Sequence, residues 1–159
     1  MWIGNNMNGQ THSGTMGYEL IDTDDLDPLP DRSSTCLELS DHYVPSNEPV
    51  DEERSRGPKN VGLRVYHAAP GESLGGGMHY HDEQEEVFYV VEGTLHVETP
   101  DEEYLVGPGQ ALVVEPDSPQ RAFNPDSATE SVHVLAVGAP SYSVLGRNDG
   151  HLCEPDAEG

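Results

Sequence analysis

Between residues 61 and 137 the chain is a succession of short segments that alternate apolar and polar side chains, each closed by a glycine or proline turn. This pattern limits the fold more than any other feature. Residues 61–68 (VGLRVYHA) alternate and stop at Pro70-Gly71. Residues 86–91 form an apolar run closed by Glu92-Gly93, residues 94–98 alternate again, and residues 104–106 end at Gly107-Pro108-Gly109. Residues 111–115, 120–124 and 131–137 continue the series. A period of two sends successive side chains to opposite faces of a strand, and no helical period appears in this region. Short strands with glycine and proline turns at even intervals predict an all-β sandwich or barrel. No internal repeat is long enough to make a second one.

The flanks read differently. Residues 1–17 have few apolar side chains and no periodicity, so disorder is expected there, with Met16 a second candidate start. Residues 18–59 read as an N-terminal arm: a short strand at Tyr18-Glu19-Leu20-Ile21, a second at residues 35–39, and a charged, proline-containing loop over 41–59. Exposed strand edges need covering. The arm is therefore expected to lie on a barrel edge or on a partner subunit, with a homodimer as the expected state. The barrel is placed at 60–138, and 139–159 is read as an acidic C-terminal segment with one edge strand at 142–145.

Charge narrows the partners. The chain has 30 acidic and 7 basic residues, a formal net charge of −23, and Lys59 as its only lysine. Such a surface repels phosphate backbones and anionic lipid, so no nucleic acid and no membrane partner is expected, and a small-molecule ligand is. Self-repulsion on this scale is relieved when salt shortens the screening length to about 3 Å near 1 M, and a surface so acidic and poor in lysine resembles proteins of salt-loving microbes. Cys36 and Cys153 lie in the flanks with no shared spacing motif, and no apolar run has the length of a membrane span. Free thiols and a cytoplasmic location are expected.

The chemistry concentrates at His79-Tyr80-His81, followed by Glu86 at the start of the next strand. In an extended segment His79 and His81 point the same way, and a nearby carboxylate completes a two-histidine, one-carboxylate face with open positions for a first-row metal. If Glu86 is the carboxylate, alternation puts Phe88 and Val90 on its face. Glu85 and Glu83 are then solvated.

These residues resemble the first motif of the cupins, His-x-His, four residues, Glu, six residues, Gly, met here by His79, His81, Glu86 and Gly93. The usual second motif, ending in His, three residues, Asn, is similar to the stretch from Gly109 through Pro116 and Gln120 to Asn124. The resemblance covers roughly residues 60–138 and implies a double-stranded β-helix, or jelly-roll, barrel with a divalent metal ion (Fe, Mn, Zn or Ni) held inside by both motifs. Three departures stand out. Ser73 replaces a glycine ahead of His79, the second motif is one residue longer with Ser118 for its glycine, and Gln120 stands where the family has histidine.

An amide oxygen is a weaker and harder ligand than an imidazole nitrogen. The expected metal set is therefore His79, His81 and Glu86, with Gln120 a weak fourth. The alternative is a barrel that has lost its metal and serves as a non-catalytic small-molecule binding or sensing protein; a pure dimer-forming scaffold ranks behind both. Oxygenase, isomerase and decarboxylase chemistry are all compatible with the resemblance, and no lysine in the barrel is available as a Schiff base. Arg64 and Arg121 are the basic side chains expected near the cavity, where a guanidinium pairs a carboxylate or phosphate bidentately; a surface salt bridge among so many acids is the other, slightly preferred reading of each. Tyr66, Tyr80, Phe88 and Phe123 are aromatic candidates for its wall. His67, His96 and His133 lie on expected strands, and each is a possible substitute for the lost ligand. His12, His42 and His151 are read as surface residues of the tails.

Overall fold

A computed structural model describes residues 18–40 and 57–153. In chain order the strands are β1 (Thr35–Glu38), β2 (Gly62–Ala68), β3 (His79–His81), β4 (Glu85–Glu92), β5 (Leu95–Glu98), β6 (Glu103–Val106), β7 (Ala111–Val114), β8 (Arg121–Phe123), β9 (Val132–Ala139) and β10 (Gly150–Leu152), with a short helix α1 (Tyr142–Leu145) between the last two. One sheet has the order β1-β2-β9-β4-β7 and a second β6-β5-β8, while β3 pairs with β10. Isolated antiparallel bridges, Ser73 to Phe123 and His79 to Gln120, tie the β3 segment to the edge of the second sheet. All strand pairs are antiparallel.

The alternation in the sequence becomes the inner faces of the two sheets. Tyr66, Phe88, Val90 and Val134 from the first sheet and Leu95, Val97, Val106 and Ala122 from the second join one buried apolar cluster. Each large side chain fully removed from water there contributes about 1.5–3 kcal/mol. The architecture is the jelly-roll barrel that the family resemblance implies. Asn124 explains one motif position: it is buried and its side-chain amide donates to the carbonyls of Ala68, at the end of β2, and Glu130, just ahead of β9, at 3.0 and 2.9 Å.

Several expectations change. Tyr18 to Ile21 form no strand; Tyr18 and Leu20 are exposed, and a 3-10 turn at Thr23–Asp25, capped by Asp22, follows. Cys36, in the flank before the barrel, is fully buried in β1, directly across from Tyr66, and it is a free thiol like Cys153. The expected edge strand at 142–145 is α1. The Ser141 side chain accepts from the Val144 N–H, and Gly146, in the left-handed conformation at φ 68°, donates its N–H to the Tyr142 carbonyl. These end caps outweigh four residues of alternation. The C-terminal segment also contributes β10. The expectations for residues 1–17 (with His12 and Met16), 41–56 (with His42) and 154–159 lie outside the described residues.

His67 and His133 face each other across β2 and β9, their rings stacked with centroids 3.8 Å apart. Desolvation, then the neighbouring His133, pulls His67 below the ordinary histidine value, against the opposing pull of Glu92. The folded state therefore binds this proton less readily than the unfolded chain, and stability falls as pH drops below about 6.5. An NMR titration should find the His67 midpoint below that value; a midpoint above it would contradict the stacked geometry.

Candidate metal centre

His79 and His81 sit two residues apart on β3 and Glu86 on β4, so both histidines and the carboxylate turn to one point. Their ligand atoms lie within 4.8 Å of one another. Each imidazole is oriented from behind. The His79 Nδ1 donates to the Gly77 carbonyl at 2.9 Å, and the His81 Nδ1 lies 2.9 Å from the Asp149 carboxylate. With the proton on Nδ1 in both rings, each Nε2 presents a lone pair to the site. The His81 Nε2 is buried, 3.5 Å from Glu86 Oε2, with no hydrogen-bond partner.

Gln120 enters from the opposite strand. Its backbone exchanges two hydrogen bonds with His79, N–H to carbonyl at 2.8 and 3.0 Å, which puts both side chains on the same side. Its amide nitrogen donates to Glu86 Oε2 at 2.9 Å and lies 3.3 Å from His79 Nε2, while its oxygen is buried without a partner. Two buried atoms of these residues, the His81 Nε2 beside Glu86 and the Gln120 amide oxygen, are thus without partners. Buried polar groups normally have partners, and a divalent cation is what this donor set fits.

Asp149 is the residue that the sequence reading missed. It is fully buried in a segment read as an acidic tail, and its second oxygen accepts from the backbone N–H groups of Glu83 and Gln84, each at 2.9 Å. Burial pushes its carboxyl up, but those two N–H groups and His81 outweigh the burial and hold it below the usual carboxylate value. Arg147 secures the same loop through ion pairs to Asp82 and Glu83 at 3.4 and 2.6 Å. The only available signal was an aspartate next to glycine near the end of the chain.

The site opens into a cavity of about 370 Å³ whose wall includes Arg64, Tyr66, Phe88 and Tyr142. Burial pushes the Tyr142 phenol up to about 12, so this wall residue is a neutral hydroxyl. Arg121 and Phe123 do not line the cavity. Gln120 and Ala122 take the inward positions of this strand, so period two turns their neighbours outward. There Arg121 pairs with Glu98 at 3.1 Å and covers the Phe123 ring. Tyr80 stacks on His151 of β10, and His151 also contacts Asp82 at 2.8 Å. His96 pairs with Glu103 beside Phe123. None of His67, His96, His133 and His151 belongs to the cluster, and Glu85 is exposed as Glu86 turns inward.

Fold and site together define a double-stranded β-helix barrel with a candidate metal centre. Residues 64–138 match the family described as Cupin domain. The solved structures of similar fold include the polyketide cyclase RemF from Streptomyces resistomycificus (18% identity, 89% of this chain and 89% of that one, TM-score 0.62). They also include an uncharacterised conserved protein with a double-stranded β-helix domain from Klebsiella pneumoniae (16% identity, 86% and 97%, TM-score 0.58). A third is a sugar phosphate isomerase from a cupin superfamily of Silicibacter pomeroyi (21% identity, 77% and 76%, TM-score 0.55). The domain match spans just under half of the chain, and these neighbours share its fold. No curated protein matches the chain in sequence. Among the described residues no helix is long and apolar enough to cross a membrane.

Proposed function

We propose that this barrel binds one divalent metal through His79, His81 and Glu86, with Gln120 beside it, and acts on or binds a small oxygenated molecule in the adjoining cavity. The observation that carries this reading is the buried, unpartnered His81 Nε2, held toward Glu86 and His79 by the Asp149 carboxylate behind it. A metal of this kind, when bound, polarises a carbonyl or acidifies a water. The chain's own residues do the rest. Asp149 and the Gly77 carbonyl orient the two imidazoles, Tyr142 offers a neutral hydroxyl, and Phe88 and Leu74 keep one wall of the cavity apolar. The structural neighbours carry different activities, and one fold hosts many; the proposal is for metal-assisted chemistry as a class.

A metal-free binding barrel is the second reading, favoured by one observation. The Gln120 amide bridges Glu86 and His79 and so closes the ring of donors with a hydrogen bond. Elemental analysis of protein purified without chelator separates the two. One equivalent of metal is expected in the wild type and none in His79→Ala/His81→Ala, with tighter binding in Gln120→His because imidazole is the stronger ligand. A folded wild type that cannot be loaded with iron, zinc, manganese or nickel would sink the metal reading.

We also infer a homodimer working in a salt-rich cytoplasm. The exposed apolar side chains Tyr89, Val91 and Val113 on the outer face of β4 and the edge strand β7 support the dimer, and the net charge of −23 supports the salt. Screening shortens from about 10 Å at 0.1 M to about 3 Å at 1 M. Light scattering across that range should show a dimer and a melting temperature that rises with salt. A monomer throughout, or a flat melting temperature, would contradict the respective inference.

A further inference from the structure

In a chain this acidic, paired arginines are the ordinary outcome, and the described ones outside the cavity conform: Arg121 pairs with Glu98 and Arg147 with Asp82 and Glu83. The cavity is different, because both Arg32 and Arg64 line it. Arg64 is brought there by register. It faces inward with Tyr66 on β2, directly across from Glu38 of β1, and its row continues through Ala136 of β9 to Phe88 of β4. Two inter-strand spacings separate Arg64 from Phe88, about 10 Å, and Glu86 lies two residues further along β4. Arg64 thus occupies the β1–β2 side of the cavity and the His79, His81 and Glu86 cluster the other, while Arg32, just ahead of β1, lines the same cavity.

The hydrogen bonds show which edge of Arg64 is open. Its Nε donates to Glu38 Oε2 at 2.6 Å, and the Ser40 hydroxyl takes the other Glu38 oxygen. The two terminal nitrogens of Arg64 have no acceptor among the described residues, and neither does Arg32. Among the described residues Glu38 neutralises one of the two guanidinium charges that line the cavity, and one positive charge remains. The two-toothed donor edge of Arg64 stands at this end, and Leu74 and Phe88 supply an apolar wall.

We propose that this end is a carboxylate-binding subsite. The cavity takes a small organic monocarboxylate, held bidentately by the free edge of Arg64 with Arg32 beside it, its apolar or aromatic body lying against Phe88 and Leu74. A single carboxylate balances the one unpaired charge. A phosphate dianion would leave a surplus negative charge in a cavity that already holds Glu86, so a carboxylate fits better. The orientation of the ligand's far end toward His79 and His81 rests on the metal reading of that site; the subsite itself does not.

Calorimetry on the full chain, freed of metal with a chelator, tests it with benzoate as probe, benzamide as its neutral counterpart and inorganic phosphate as competitor. Benzoate should bind about ten- to hundredfold more tightly than benzamide, the range expected for charge-assisted hydrogen bonds, and equimolar phosphate should not displace it. Arg64→Gln should abolish that preference. Because Arg64→Gln strands Glu38, the exposed Arg32→Gln is the second variant, with a severalfold weaker affinity for benzoate expected. Equal binding of benzoate and benzamide, no binding of either, displacement by phosphate, or undiminished benzoate affinity in both variants would each overturn the proposal. The same titration of His79→Ala/His81→Ala should still show benzoate binding, so that a failed metal reading and a failed subsite give different results.

Discussion

Asp149→Asn should leave the barrel folded and lower its metal affinity about 10- to 100-fold, the usual cost of removing a carboxylate behind a ligating histidine. Asp149 accepts on both oxygens, from His81 on one side and from the Glu83 and Gln84 N–H groups on the other. Asparagine has one oxygen, and two backbone N–H groups with no other partner claim it. The amide NH₂ then faces the His81 Nδ1, which must accept, and the imidazole proton moves to Nε2. That nitrogen is the one aimed at the site, 3.5 Å from Glu86. The variant thus points a proton where the metal needs a lone pair. Metal titration gives the affinity, and nitrogen NMR of the imidazoles gives the tautomer, a readout that a merely structural role would not move. Unchanged affinity together with an Nδ1-protonated His81 would refute the role assigned to Asp149.

Gly93→Ala should destabilise the fold by about 2–6 kcal/mol, the sum of left-handed strain on a residue with a Cβ and of overpacking against fixed atoms. Gly93 turns the chain from β4 into β5 at φ 77°, and an added Cβ would stand 2.5 Å from the Ser131 carbonyl oxygen and 2.9 Å from the Val132 Cα. Both neighbours are backbone at the start of β9, and Val132 is buried in the core. Neither can move without disturbing the β4–β9 ladder, which already has an irregularity between Val90 and Glu92. Against a typical total of about 5–15 kcal/mol, the loss is large enough to read by urea denaturation. A cost below 1 kcal/mol would show that the turn adjusts. Gly93 closes the first motif in the sequence, and the reason is this close approach of a distant strand.

The strands were legible because their signal is local. Period-two alternation and the glycine and proline turns lie within a few residues of one another, and they located β2, β4 and β9 to within a residue or two at each end. The same locality misled at Tyr142, where alternation over four residues looked like a strand and the caps at Ser141 and Gly146 made a helix. Arg121 and Phe123 are a related case. They are near Gln120 in sequence, but the alternation that turns Gln120 inward turns them out.

What the sequence determined by itself is the set of inward donors: His79, His81 and Glu86 are two neighbours on one strand and the first inward residue of the next, so their convergence needs only the local geometry of β-strands. Tertiary structure decided what stands behind and across from them. The Asp149 to His81 contact spans 68 residues, and Gln120 to Glu86 spans 34. Arg64 reaches the cavity through two sheet neighbours, Ala136 and Phe88. Asp149 is one acid among 30, with no local pattern to single it out. Its role exists only because the chain after α1 returns beside β3, where two orphan N–H groups and an imidazole need the same carboxylate.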